Sequence, residues 1–206
     1  WILSFVIIAF AIYLIYNTIA IKLFGIPKSL SDTFYLYQEK QNWMKFFFPI
    51  MMFLMAGLLM PAWLEITAFS MLQFLAFLAA AGIMFTGAAP AFKSNKLTNA
   101  VHSISAICSA IFALLWVIFV SKFWWIIIFW LVLILLTALL TKTIKTSYIY
   151  WLETVAFLST FSSILLFSKK SNGSASLKKF VKLFLVIYTN ISYFPFKIFK
   201  HFHSML

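Results

Sequence analysis

The sequence predicts an all-α fold: a polytopic membrane helix bundle of six transmembrane helices joined by short hairpin loops. Apolar residues make up 65% of the 206 residues and charged residues 10%, whereas a soluble globular domain averages about 45–50% and about 25%. The mean hydropathy is +1.04. Aromatic residues reach 20%, which is typical of lipid-facing helices with aromatic belts at both membrane surfaces.

Residues 1–168 contain six mostly apolar segments, each close to the roughly 20 residues that a helix needs to cross a bilayer. The predicted spans cover about 1–23, 43–64, 67–86, 98–120, 124–141 and 148–168. Gly25 and Pro27 end the first span, and Trp43 and Trp63 anchor the second span at the two interfaces. The fifth span is uniformly apolar, so we expect it to face lipid.

The connections between the spans are short, apart from the first. Residues 25–42 are polar, and Ser31 or Asp32 is predicted to cap a short interfacial helix within them. Tight hairpins are expected at 65–66 and 121–123. Small residues recur along one face of spans three and four, which predicts that these two helices form the closest pair.

Residues 169–206 read as a basic linker followed by a lysine-rich amphipathic or interfacial tail. We predict that this tail binds membrane lipids, and anionic headgroups in particular. A seventh span over 180–199 is a weaker alternative, because lysines, Asn190 and Pro195 interrupt it. The formal charge of +12 comes from lysines that flank hydrophobic spans, so nucleic-acid binding is not predicted. The sequence indicates no particular protein partner.

The lysines leave the orientation in the membrane open. We call the membrane face that carries the connections after spans one, three and five the loop face. Eight lysines lie on the loop face, and eight lie on the opposite face together with the tail. Counting only charges close to the spans favours a cytoplasmic loop face. The oligomeric state is equally open.

Ionisable and polar residues gather at the loop face. His102 lies four residues into span four, and Glu153 lies five residues into span six, both entered from that face. Ser29, Ser31 and Asp32 lie in the first connection, on the same side. Because polar groups inside a membrane usually pair with one another, we predict that the three segments meet in one cluster.

This cluster is compatible with several functions. A structural network, in which His102 bonds Glu153, is one interpretation. A cleft that binds a lipid headgroup or small polar ligand is another, and its predicted residues are Ser29, Ser31, Asp32, Asn99, His102, Trp151 and Glu153. The alternative is a membrane-embedded, lipid-directed, metal-dependent hydrolase with Asp32, His102 and Glu153 as ligands or as acid and base. A small transporter is the third function considered.

The remaining chemical signals are sparse. Cys108 is a lone cysteine within a span, and the sequence has no paired cysteines or Cys/His cluster. We therefore predict no cofactor and no bound metal, and leave open whether the protein is an enzyme. Ser29 or Ser31 could act as a nucleophile with His102, although serine is common in loops.

Three short motifs resemble those of a group of small six-span bacterial membrane proteins to which no activity is assigned. That group has a SISxYYY-type loop after span one, a histidine opening span four and a Trp-x-Glu element in span six. The corresponding residues here are SLSDTFY at 29–35, His102, and Trp151 with Glu153. The resemblance covers about residues 1–170 and implies a multi-pass protein of the bacterial inner membrane.

A more distant similarity links the chain to the ceramidase-like superfamily of seven-span hydrolases, which also gathers Ser, Asp and His near one membrane face. The pattern of that superfamily ends with an HxxxH motif in the last span. The span at 148–168 contains no histidine, so the similarity does not extend to that motif.

Overall fold

The computed structural model describes residues 2–68 and 70–172, and this part of the chain folds as a bundle of α-helices without strands. The helices are α1 (Ile2–Phe24), α2 (Thr33–Lys40), α3 (Phe47–Ile66), α4 (Gln73–Ala88), α5 (Lys96–Trp116), α6 (Trp125–Leu140) and α7 (Tyr148–Asn172). The predicted all-α fold is confirmed. The predicted tail lies almost entirely outside the described residues, as does the alternative seventh span.

In the part of the chain that the structure describes, four helical segments are long and apolar enough to cross a membrane, by their length and composition. They correspond to α1, to α3 with the short 3-10 helix before it (Asn42–Phe46), to α5 with the π-helical segment after it (Val117–Ser121), and to α7. The other two apolar helices, α4 and α6, are shorter, with 16 residues each. The structure therefore supports a multi-span membrane protein.

Five of the helices surround a central space. Along the chain, α1 packs on α3, α3 on α4 and α4 on α5, and α7 then returns to contact both α1 and α5. The contact between α5 and α7 is much less extensive than that between α4 and α5. Helix α6 packs on the outside of α7, with most of its large apolar side chains exposed, as expected for a lipid-facing helix.

The closest helix pair is α4 with α5, as the small residues predicted. A Cβ atom on Gly82 of α4 would lie 2.7 Å from Ser109 Cβ and 2.8 Å from the Ser105 carbonyl oxygen of α5. One turn further on, the hydroxyls of Thr86 and Ser105 are 3.1 Å apart and form a buried hydrogen bond. Backbone proximity and this bond together fix the register of the two helices.

The predicted two-residue hairpin at 65–66 is wrong. Helix α3 ends at Ile66, and α4 begins only at Gln73 instead of residue 67. The Thr67 hydroxyl donates to the Trp63 carbonyl oxygen over 2.7 Å, and Ser70 Oγ accepts from the Leu72 N–H over 3.2 Å. These side chains satisfy backbone groups locally and so favour turns over further helix.

Two other helix ends differ from the prediction. Helix α5 begins at Lys96 rather than residue 98, because Asn95 caps it by accepting from the Thr98 N–H over 2.8 Å. Helix α7 continues to Asn172, past the predicted end at residue 168. The first residues of the predicted linker are therefore helical.

The predicted interfacial helix is α2, whose Thr33, Phe34 and Tyr37 are buried against the bundle. Burial raises the pKa of Tyr37 to about 12, so this phenol is neutral at physiological pH. Asp32 precedes the helix as predicted, but its side chain makes no capping bond. It forms an ion pair with Lys93 instead.

We expect Gly82→Ala to destabilise the protein, because the added methyl group would overlap backbone atoms of α5. Overpacking of this kind typically costs about 1–3 kcal/mol. Thermal unfolding of the purified protein in detergent measures the effect. Gly57→Ala in α3 is the matched control, since its Cβ would have no heavy atom within 4 Å. Equal melting temperatures for the two variants would contradict the proposed close contact.

Candidate functional site

The segment between α1 and α2, residues 25–32, lies across the loop-face end of the bundle, and we call it the capping loop. Its Lys28 carbonyl oxygen accepts from the Tyr150 N–H over 3.1 Å, and its Leu30 N–H donates to Glu153 Oε2 over 2.6 Å. The first N–H groups of a helix have no partner within that helix. The capping loop therefore accepts a hydrogen bond from the first turn of α7, and a side chain of α7 accepts one from the loop.

His102 ties the same loop to α5. Its Nε2 is 2.8 Å from Ser31 Oγ, and its Nδ1 is 2.9 Å from the carbonyl oxygen of Ala89 at the end of α4. A carbonyl oxygen can only accept, so in the neutral ring Nδ1 carries the proton and Nε2 accepts from the Ser31 hydroxyl. His102 and Ser31 are 5% and 4% exposed, and the Phe92 ring stacks on the imidazole at 4.6 Å.

The predicted hydrogen bond between His102 and Glu153 is not formed. Both ring nitrogens of His102 have other partners, and the carboxylate binds a backbone N–H. The two side chains instead hold neighbouring residues of the capping loop, since Glu153 binds Leu30 and His102 binds Ser31. The loop backbone thus connects α7 to α5 where a direct side-chain pair was expected.

A cavity of about 50 Å³ begins beneath the capping loop and extends between α3, α4, α5 and α7. Leu30, Ser31 and Glu153 line its loop-face end. Its walls are largely apolar and include Phe48, Met52, Leu59, Ile83, Ala110 and Phe157. About 10–15 Å³ of such space holds one water molecule, so the cavity has room for a few waters or for part of one hydrocarbon chain.

The Glu153 side chain lines this cavity, and one of its two oxygens makes no hydrogen bond within the described part of the chain. Its Oε2 accepts from the capping loop, whereas Oε1 has no hydrogen-bond partner among the described residues. Ser31 also lines the cavity, while its hydroxyl faces His102. Two polar residues therefore line the loop-face end of a largely apolar cavity, and one of them keeps a carboxylate oxygen without a hydrogen bond to any residue that the structure describes.

Asp32 lies outside this arrangement. Its Oδ1 is 2.5 Å from Lys93 Nζ, which also lies 4.3 Å from the centre of the Tyr35 ring. The Tyr35 hydroxyl in turn accepts from the Lys93 N–H over 2.6 Å. These contacts fasten the connection between α4 and α5 to α2. They hold the connection that carries Phe92 and Ala89 against the loop-face end of the bundle.

The other predicted ligand-binding residues do not line the cavity. Ser29 Oγ accepts from the Asp32 N–H over 3.0 Å within the loop. Asn99 is exposed and accepts from Ser103 on its own helix, and the Trp151 indole N–H donates to Thr143 over 3.1 Å. Of the seven predicted residues, the structure brings together Ser31, His102 and Glu153.

The predicted set of metal ligands is also separated. Asp32 pairs with Lys93, His102 with Ser31 and Ala89, and Glu153 with Leu30. Across residues 2–68 and 70–172, no group of three His, Cys, Asp or Glu side chains lies close enough together to hold a metal ion.

A second polar network, between α1 and α7, was not predicted from the sequence. Tyr150 Oη donates to Asn17 Oδ1 over 2.9 Å, and Asn17 Nδ2 donates to the Tyr13 carbonyl oxygen over 2.8 Å. Tyr13 Oη donates to Thr154 Oγ1 over 3.3 Å. These bonds link α1 to α7 below the capping loop. The available signal was Asn17, an amide side chain within a mostly apolar span.

We expect Glu153→Ala to destabilise the bundle, because it leaves the Leu30 N–H without an acceptor. An unsatisfied buried donor costs about 1–3 kcal/mol. Glu153→Gln should lose less, since its side-chain oxygen can still accept. Thermal unfolding in detergent provides the measurement, with Glu65→Ala as the control because Glu65 is exposed at the far end of α3. Equal melting temperatures for Glu153→Ala and Glu65→Ala would contradict this interpretation.

Comparison of the chain with protein-family models, with curated proteins and with solved structures finds no match. The resemblances to the small six-span bacterial proteins and to the ceramidase-like superfamily therefore stay predictions.

Proposed function

We propose that the chain is a six-span integral membrane protein that binds the hydrocarbon chain of an amphiphilic molecule in its central cavity, with the polar end of that molecule at the capping loop. One observation carries the proposal. Ser31 and Glu153 line the cavity at one membrane face, and its walls are largely apolar along the rest of its length. The hydroxyls of Thr86, Ser109 and Thr160, which also line it, donate to carbonyl oxygens of their own helices. An amphiphile likewise has a polar end and an apolar chain.

The path of the chain supports six spans. His102 near the beginning of α5 and Tyr150 near the beginning of α7 both contact the capping loop that follows α1. Helices α5 and α7 therefore begin at the same membrane face. For that to happen, α4 must return the chain to this face after α3 has crossed, and α6 must return it after α5 has crossed. Their 16 residues extend about 24 Å at 1.5 Å per residue, and adjoining turns complete the crossing.

The sparse contact between α5 and α7 supports access from the lipid. Both helices line the cavity, through Ala110 and Phe157 among others, yet they pack much less closely on each other than α4 and α5 do. A hydrocarbon chain could enter sideways between them. A cavity of about 50 Å³ suits part of one chain rather than two chains side by side.

Selectivity for such a ligand would come from the polar end. Lipid tails are as apolar as a leucine side chain, so a chain gains little hydrophobic free energy by leaving the bilayer for the cavity. Hydrogen bonds to the free oxygen of Glu153 would favour a ligand with a hydroxyl or an amine near its chain. Membrane lipids and their single-chain derivatives are the partners that this chemistry fits.

A purely structural role is the second candidate, and the hydrogen bonds of the capping loop favour it. In that case His102 and Glu153 serve only to hold the loop on the bundle, and the cavity is a packing defect. The metal-dependent hydrolase has less support, because Asp32, His102 and Glu153 bind different partners. A bacterial inner-membrane location rests on the family resemblance alone.

The test is photolabelling with a monoacylglycerol that carries a diazirine at the end of its chain, on protein in phosphatidylcholine nanodiscs. We expect labelled peptides from the cavity walls, and competition by unlabelled monoolein. Ala110→Phe, which fills the cavity, should reduce competable labelling about tenfold, equivalent to about 1.4 kcal/mol of binding. Ala100→Phe is the control, because Ala100 is exposed on the same helix.

Two results would overturn the binding proposal. One is labelling that monoolein does not compete or that falls only on outward-facing residues such as Ile107. The other is unchanged labelling of an Ala110→Phe protein that keeps a wild-type melting temperature. Either result would leave the structural role as the better account of the site.

A further inference from the structure

We propose that Ser31 is the nucleophile of an acyl-transfer site, with His102 as its general base, and that the protein hydrolyses the ester bond of a single-chain amphiphile. This inference rests on the proposed function, since the cavity would hold the acyl chain of the substrate. It differs from the metal-dependent alternative because it uses neither Asp32 nor a metal ion.

The first support is the geometry of a nucleophile, a base and a group that orients the base. Ser31 Oγ lies 2.8 Å from His102 Nε2, within the reach of general-base catalysis. The Ala89 carbonyl oxygen, 2.9 Å from Nδ1, fixes the tautomer that leaves Nε2 free to accept a proton. A carbonyl group lacks the full charge of a carboxylate, so we expect slower turnover than a Ser-His-Asp site achieves.

The second support is the position of Ser31 at the cavity. Ser31 lines its loop-face end, so an ester carbonyl could approach the hydroxyl while the acyl chain extends along the apolar walls. The two serines of the loop differ in this respect. Ser29 Oγ bonds the Asp32 N–H and does not line the cavity. Ser29 is therefore an internal control for nucleophilic reactivity.

The third support is an available donor for the developing oxyanion. The Leu30 N–H is bound by Glu153, and the Asp32 N–H by Ser29. The Ser31 N–H precedes α2 and has no acceptor among the described residues. Backbone N–H groups normally find partners when they are buried. A free one on the nucleophile itself is suited to stabilise a tetrahedral intermediate.

The reaction would follow two balanced steps. Ser31 Oγ attacks the ester carbonyl carbon as its proton passes to His102 Nε2, and the ester C–O bond breaks as His102 returns that proton to the leaving alcohol. Water then attacks the acyl-Ser31 carbonyl and gives its proton to His102. The acid leaves as Ser31 regains the proton. Glu153 takes no part in these steps; it holds the Leu30 backbone next to the nucleophile.

The test uses a hexadecyl fluorophosphonate on the purified protein in detergent. Attack by Ser31 on phosphorus would expel fluoride and leave a stable adduct. We expect one adduct per chain by intact mass spectrometry, mapped to Ser31 on the wild-type protein. Ser31→Ala should give none and Ser29→Ala the wild-type rate. His102→Gln should slow labelling by a factor on the order of 10²–10⁴, as expected for loss of a general base.

Release of fatty acid from monoolein is the companion measurement, and it should be lost in Ser31→Ala and kept in Ser29→Ala. The hydrolase proposal is overturned if the wild-type protein forms no adduct at Ser31, whether or not the Ser31→Ala variant folds. If the diazirine probe still labels the cavity in that protein, binding stands and only catalysis fails. A Ser31 adduct without competable photolabelling would instead refute the chain-binding cavity on which both proposals depend.

Discussion

Polar groups that are buried away from water in a membrane bundle need partners from the protein, and the capping loop of this chain finds them on two helices that are distant in sequence. Glu153 of α7 accepts from Leu30, and His102 of α5 binds Ser31. A non-helical segment that is buried against a membrane bundle, away from water, needs such partners for its polar groups within the protein. The polar end of the cavity follows from the position that these bonds give the loop.

Much of the fold could be predicted, because hydrophobic length and composition are strong signals in membrane proteins. Local backbone chemistry was harder to read. The delayed beginning of α4 depends on hydroxyls of Thr67 and Ser70 that bond nearby backbone groups, and a hydropathy pattern cannot show such bonds. The early beginning of α5 depends on Asn95, a capping residue whose signal was visible but was not used.

The candidate site was predicted in outline, since depth in the membrane located Ser31, His102 and Glu153 at one face. Their partners could not be derived. The acceptor for His102 is the backbone carbonyl of Ala89. Every residue has such a carbonyl, so the residue type does not reveal which one serves as the acceptor. The same limit explains why the direct bond between His102 and Glu153 was expected. Two polar side chains at equal depth suggest a pair, but the sequence does not show the loop backbone between them.

Two consecutive residues of the capping loop, Leu30 and Ser31, bind two different helices. This arrangement restricts the length of the loop as well as its composition. Surface loops usually tolerate insertions and deletions. Here, removing or adding one residue between Gly25 and Leu30 would offset the chain relative to both Glu153 and His102 at once. Ser31 would then be replaced by a neighbour opposite the imidazole. Homologous chains that keep the same polar side chains should therefore also keep the number of residues between α1 and α2.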